Sequence, residues 1–197
     1  MVQEEALWIE QVLSTLKLSS GACVVDVGSS TEEFRLRTQP YIEERVFRPL
    51  QQRGVTIVHV DQKAAPGVDI VVDIERLVPE TLGRKFDALL CASLLEHVQH
   101  PALVARTLVA CVKPGGWLIV TVPQRYRRHP DPIDTGFRPG ARQLAALFPH
   151  TELSRAQTVR IDERGRYAAR GREQLRYYIP ALRWRISCVL LQNKGLA

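Results

Sequence analysis

The 197 residues predict an α/β fold, a Rossmann-like, doubly wound, mostly parallel sheet with an antiparallel C-terminal edge. Three observations carry that expectation. Short β-branched runs alternate with helical stretches through the first two thirds of the chain. Each of the first three runs carries an aspartate near its carboxyl end. No repeat, low-complexity tract or long linker divides the sequence, and 45% hydrophobic residues supply a substantial core, which excludes disorder as the main state. A single domain over residues 1–197 is expected: an N-terminal helix (1–20), a cofactor-binding core (21–125), and a substrate-side loop with C-terminal strands (126–197).

The elements follow in order. Ile9, Val12, Leu13 and Leu16 have i, i+3, i+4, i+7 spacing, so an amphipathic helix opens the chain and Gly21 ends it. Residues 22–28 form a β-branched run stopped by a glycine, read as a strand buried on both faces. A helical stretch from about Thr31 to Gln52, broken near Pro40, leads to strands at 55–61 and 68–73. Further strands are expected at 86–91 and 117–122, with a helix between them starting at Pro101, where the missing N–H costs nothing. A short helix over 141–148 and two antiparallel strands near 151–161 and 184–191 complete the reading, the strands joined through the Arg-rich segment 164–176.

Charge is uneven. Residues 1–121 carry 12 basic and 15 acidic side chains, while residues 122–197 carry 15 and 6, so the net charge of +6 comes from the C-terminal third. The four cysteines, at 23, 91, 111 and 188, are far apart among apolar neighbours and form no C-x-x-C pair; buried reduced thiols are expected rather than disulfides or a zinc ribbon. Glu4, Glu5 and Glu10 stand where a signal peptide needs basic residues, and no run reaches the length of a membrane span. A soluble cytoplasmic protein is the expectation.

Asp26, Asp61 and Asp73 fall at the carboxyl ends of predicted parallel strands, the rim where ligands of such sheets bind. A carboxylate after the second strand suits a ribose diol, because it can accept both hydroxyl protons. Any one of the three also reads as a helix cap or turn former. The loop Gly28-Ser29-Ser30-Thr31-Glu32-Glu33 lacks the G-x-G-x-x-G of dinucleotide sites, and a pyrophosphate would meet two glutamates there.

In these residues the chain resembles the class I S-adenosylmethionine-dependent methyltransferases of the type with a Leu-Glu-His motif after the fourth strand. The matches are Val24-Val25-Asp26-Val27-Gly28, Asp61, Asp73-Ile74, Phe86 to Cys91 with Leu95-Glu96-His97-Val98, and Lys113-Pro114-Gly115-Gly116-Trp117. The resemblance implies S-adenosyl-L-methionine as cofactor, with contacts from Asp26, Val27, Gly28, Ser29 and Ser30, from Asp61 and Gln62, from Asp73 and Ile74, and from Ala92, Ser93 and Leu94. The family loop usually has glycines where this chain has Ser30 and Glu32. Serine fits there if its backbone avoids φ > 0, and the glutamate either narrows the pocket or points to solvent.

Methyl transfer is an in-line displacement that mainly needs the acceptor held near the methyl carbon. A hydroxyl acceptor gains from a nearby base, for which His97, His129, Asp131 and Asp134 are the candidates. His97 and His100, spaced i, i+3, have only Asp131 to join them as a ligand, so no metal is expected. The expected acceptor is a small polar molecule, with anionic and sugar-containing compounds in view. RNA or protein methylation through the basic tail, and a catalytically degenerate scaffold signalled by Glu32, are the alternatives. A nucleic-acid partner is not expected, since the Arg164 to Arg176 cluster also reads as a solvated loop, and no feature fixes the oligomeric state.

Overall fold

The computed structural model describes residues 1–162 and 183–195. The Arg-rich segment 164–176 lies outside these residues.

Among the described residues seven strands form one sheet: β1 (Cys23–Val27), β2 (Thr56–Asp61), β3 (Ile70–Val71), β4 (Phe86–Ala92), β5 (Val112–Arg125), β6 (Thr151–Arg160) and β7 (Arg185–Asn193). Their order is β3-β2-β1-β4-β5-β7-β6. Strands β1 to β5 are parallel, and β7 runs antiparallel to both neighbours, β5 and β6. The expected architecture is therefore present, with the antiparallel character residing in β7.

Because side chains alternate across a strand, the β-branched runs feed two cores. Val25, Val27, Leu89, Cys91, Leu118 and Val120 pack on one face against Val104, Ala105 and Leu108 of α3 (Pro101–Ala110). Val24, Ala88, Leu90, Ile119 and Cys188 pack on the other against Ala6, Ile9, Val12 and Leu13 of α1 (Gln3–Thr15). All four cysteines are free and buried. Among the described residues no helix is long and apolar enough to cross a membrane.

Three expectations need correction. The stretch 31–52 is not one interrupted α-helix but two wide turns with i→i−5 character, Phe34–Thr38 and Glu43–Phe47, followed by a short α2 (Arg48–Gln52). Pro40 and Pro49 each remove a donor from the regular ladder. The third strand shrinks to two residues, because Asp73 caps a helical turn by accepting the Glu75 N–H at 3.0 Å. The fifth grows to include the Lys113–Gly116 stretch, where a Cβ on Gly116 would stand 2.8 Å from the Asp87 carbonyl oxygen, so only glycine lets the strands approach.

Candidate active site

At the carboxyl ends of β1, β2 and β4 lies a cavity of about 710 Å³, within the range of small-molecule sites. It sits where the strand order reverses, since the chain moves outward from β1 to β3 and resumes at β4 on the other side of β1. Gly28 and Ser30 line it from the β1 loop, Asp61 and Gln62 from the end of β2, Asp73 and Ile74 from the turn after β3, and Ala92, Ser93 and Leu94 from the end of β4. His97, His129 and Asp131 line it from beyond β4 and β5.

Not every expected residue reaches it. Asp26, Val27 and Ser29 are buried and not part of the cavity wall. The Asp26 carboxylate faces the neighbouring strand, with Oδ2 3.0 Å from Nδ1 of His59. That follows from register, because Asp26 and His59 are paired across β1 and β2.

The β1 loop is held by its backbone. The Gly28 and Ser29 N–H groups donate to the Val60 carbonyl, at 2.8 and 3.1 Å. Gly28 has φ +73°, and a Cβ there would come within 2.9 Å of Leu94 Cδ1, so the missing side chain is what lets Leu94 close over the loop. Ser30 has φ +57°, against the expectation for a serine here, and its N–H donates to Asp61 Oδ2 at 2.7 Å. The Asp61 carboxylate also accepts the Lys63 N–H at 3.0 Å. Glu32 is exposed, so it points to solvent and leaves the cavity open.

Opposite this loop the geometry depends on side chains. Glu96 is fully buried in the Leu95–His97 turn, and among the described residues neither of its carboxylate oxygens has a hydrogen-bond partner. Burial, reinforced by the Glu5 carboxylate, pushes its pKa up to about 8. Its Oε1 lies 3.7 Å from His97 Nε2 and 3.8 Å from His129 Nε2. Both rings are oriented from behind: His97 Nδ1 sits 2.5 Å from the Ile133 carbonyl and His129 Nδ1 3.1 Å from that of Arg127. Burial also holds the His129 pKa below the ordinary histidine value, despite the Arg127 carbonyl, which favours the neutral imidazole.

Asp134 anchors the loop that carries His129. Its oxygens accept from Arg138 Nη2 at 2.6 Å and from the N–H groups of His129 and Gly136 at 3.0 and 2.9 Å. Burial alone would raise its pKa, but these three donors hold it well below the usual carboxylate range. Asp131 is exposed at the cavity mouth, 3.8 Å from Lys63 Nζ. His100, at the start of α3, is exposed and not part of the cavity wall, so it does not join His97 as a ligand.

A family model described as a methyltransferase domain matches residues 3–163. The chain belongs to this methyltransferase-domain family. The resemblance to the class I S-adenosylmethionine-dependent methyltransferases holds, and the cavity fits their methyl donor, with a glycine beneath Leu94 and a rim carboxylate at Asp61. Among curated relatives are ubiquinone biosynthesis O-methyltransferases of Bordetella bronchiseptica and Bordetella pertussis, 31% and 38% identical over 127 residues. Each alignment takes in 60% of this chain and 48% of the relative, so the methyltransferase domain spans about half the length of these relatives. Solved structures share the fold. Coclaurine N-methyltransferase, bound to N-methylheliamine and S-adenosylhomocysteine, superposes with a TM-score of 0.61 at 13% identity, over 95% of this chain and 72% of that one. The [4+2]-cyclase SpnF does so with 0.60 at 20%, over 95% and 80%.

Two methyltransferase residues escaped the reading of the sequence. Arg35, only 4% exposed, donates to the Ser29 and Ser30 carbonyls at 3.1 and 2.9 Å and to that of Gly67 at 2.7 Å, tying the β1 loop to the segment after β2. Glu5, fully buried, accepts hydrogen bonds from Ser93 at 3.0 Å and from Thr121, which brings the start of α1 over the ends of β4 and β5. Neither has a local pattern that announces burial.

Proposed function

We propose that this chain is an S-adenosylmethionine-dependent O-methyltransferase of a hydroxylated small molecule, with the donor on the Gly28–Asp61 side of the cavity and the acceptor on the His97–His129 side. The observation that carries the reading is the pair of imidazoles. Both line the cavity, both have Nδ1 against a backbone carbonyl, and both turn Nε2 toward Glu96. The relatives named as O-methyltransferases support oxygen as the acceptor atom.

When bound, the donor would supply an electrophilic methyl carbon to the acceptor oxygen, with the thioether sulfur as leaving group. Each Asp61 oxygen accepts one backbone N–H and keeps a lone pair for a ribose hydroxyl. Leu94 and Gly28 form an apolar floor beside it. The neutral His129 Nε2 takes the hydroxyl proton, a step worth about 10²–10⁴-fold in rate when the base is well placed. The Arg127 carbonyl orients that ring through Nδ1, and Asp134 holds the His129 backbone N–H.

Isothermal titration with S-adenosylmethionine and S-adenosylhomocysteine, with NAD as control, tests the donor. Both adenosyl compounds should bind, NAD should not, and Asp61→Asn should weaken the first two about tenfold. Incubation with a panel of phenols and other hydroxylated or amino compounds, read by mass shift, tests the acceptor. Failure of both adenosyl compounds to bind, or methylation of amines alone, would overturn the proposal.

A further inference from the structure

We propose that Glu96, His97 and His129 bind one divalent transition-metal ion at the acceptor end of the cavity. One ligand atom from each lies within 4.8 Å of the others, with the two Nε2 atoms 3.7 and 3.8 Å from the same Glu96 oxygen. Each Nδ1 faces a backbone carbonyl, which requires the proton on Nδ1 and leaves the lone pair on Nε2. Two nitrogen lone pairs and a carboxylate therefore converge on one small space. Among the described residues no donor satisfies either Glu96 oxygen, although the side chain is fully buried. For an ionised Glu96 such an arrangement is costly unless a positive charge sits at its centre.

A metal ion answers each of these features. Metal-bound histidines almost always donate their second ring N–H to a carbonyl or carboxylate, and both histidines do so here, His129 with the Asp134 carboxylate also 3.4 Å from Nδ1. With metal–ligand distances of about 2.0–2.2 Å, adjacent ligand atoms stand roughly 3–4 Å apart, so a small closure of the observed spacing suffices. Two imidazoles and one carboxylate suit zinc, iron(II), cobalt(II) or manganese(II), whereas magnesium and calcium prefer oxygen throughout.

Three protein ligands leave positions open, and His97 and His129 line the cavity. Those positions therefore face the acceptor. Only the role in catalysis rests on the hydroxylated acceptor proposed above: its oxygen would complete the shell, the ion would lower the hydroxyl pKa, and the proton would pass to solvent water, with His129 Nε2 then a ligand instead of the base. The spacing of the sequence hid this site because its ligands come from the turn after β4 and the loop after β5.

The test uses the untagged chain, freed of metal with a chelator and titrated with Co²⁺ while its visible absorption is followed and its metal content is measured after dialysis. One cobalt per chain is expected, displaced by Zn²⁺, with affinity lowered at least about tenfold in His97→Ala, His129→Ala and Glu96→Gln. The glutamine variant keeps the shape of the buried side chain, and circular dichroism confirms the fold of all three. Substoichiometric cobalt, or cobalt held equally by the variants, would overturn the site. Donor titrations run in parallel separate the two ideas: adenosyl binding without cobalt rejects the metal and leaves the methyltransferase reading, and cobalt without adenosyl binding does the reverse.

Discussion

The two halves of the cavity are built by different means. On the donor side the polar groups meet protein partners: the loop amides find Val60, Asp61 takes two N–H groups, and Arg35 takes three carbonyls. On the acceptor side Glu96 is buried with neither oxygen bonded among the described residues, and two imidazoles turn Nε2 toward it. The difference separates stability from function. A satisfied network holds its shape before a ligand arrives, while an unsatisfied one costs free energy until something else completes it.

Substitutions at the two halves should therefore move stability in opposite directions. Arg35→Ala has the largest expected effect, a loss of about 2–3 kcal/mol from three carbonyls left without their charged donor, together with weaker donor binding. Urea denaturation measures the first and calorimetry the second, and an unchanged midpoint would erase the contrast. Glu96→Leu should raise stability by about 1 kcal/mol, read as a higher urea midpoint, while abolishing turnover, because a buried unpartnered carboxyl group is replaced by an apolar one. Destabilisation would mean that the acceptor half is as well satisfied as the donor half.

A third region supplies the control. At the amino-terminal ends of the strands, Asp87 takes the Lys113 ammonium at 2.7 Å and the Cys23 N–H at 2.9 Å. Burial works against its ionisation, but these two donors outweigh it and hold its pKa below the ordinary value. A group depressed in the folded state stabilises above its unfolded pKa and loses that contribution as pH falls through the folded one. Asp87→Asn should accordingly cost about 1 kcal/mol at pH 7, a cost that shrinks as pH falls below the ordinary carboxylate pKa, with donor and acceptor binding untouched. The smallest effect is expected at Ser30→Gly. Relief of the left-handed backbone, offset by the entropy of an added glycine, should raise stability by less than about 1 kcal/mol, read as a small upward shift in Tm.

The donor half was the more legible in sequence, for a physical reason. A β-branched run, a glycine at its end and an aspartate on the next strand are local signals, and Gly28 and Asp61 both reach the cavity wall. Asp26 carried the same signal, yet its side chain alternates onto the face where His59 waits. The acceptor half depends on where loops return. His97 and His129 were visible singly as polar residues after the fourth and fifth strands, but Glu96 gains its character only when both rings close over it. Arg35 reads as an ordinary exposed arginine until the Gly67 carbonyl folds against it. The wide turns of 34–47 leave no periodic trace because five-residue hydrogen bonding blurs the 3.6-residue pattern.

The hydrogen bond between Glu5 and Thr121 also sets an order in time. The two residues are 116 positions apart, which at about 5–20 residues per second is roughly 6–23 s of synthesis. Through that interval the first helix has emerged from the ribosome while its inward carboxylate still needs water. α1 therefore docks late, and the cavity takes its final form only once the fifth strand has left the exit tunnel.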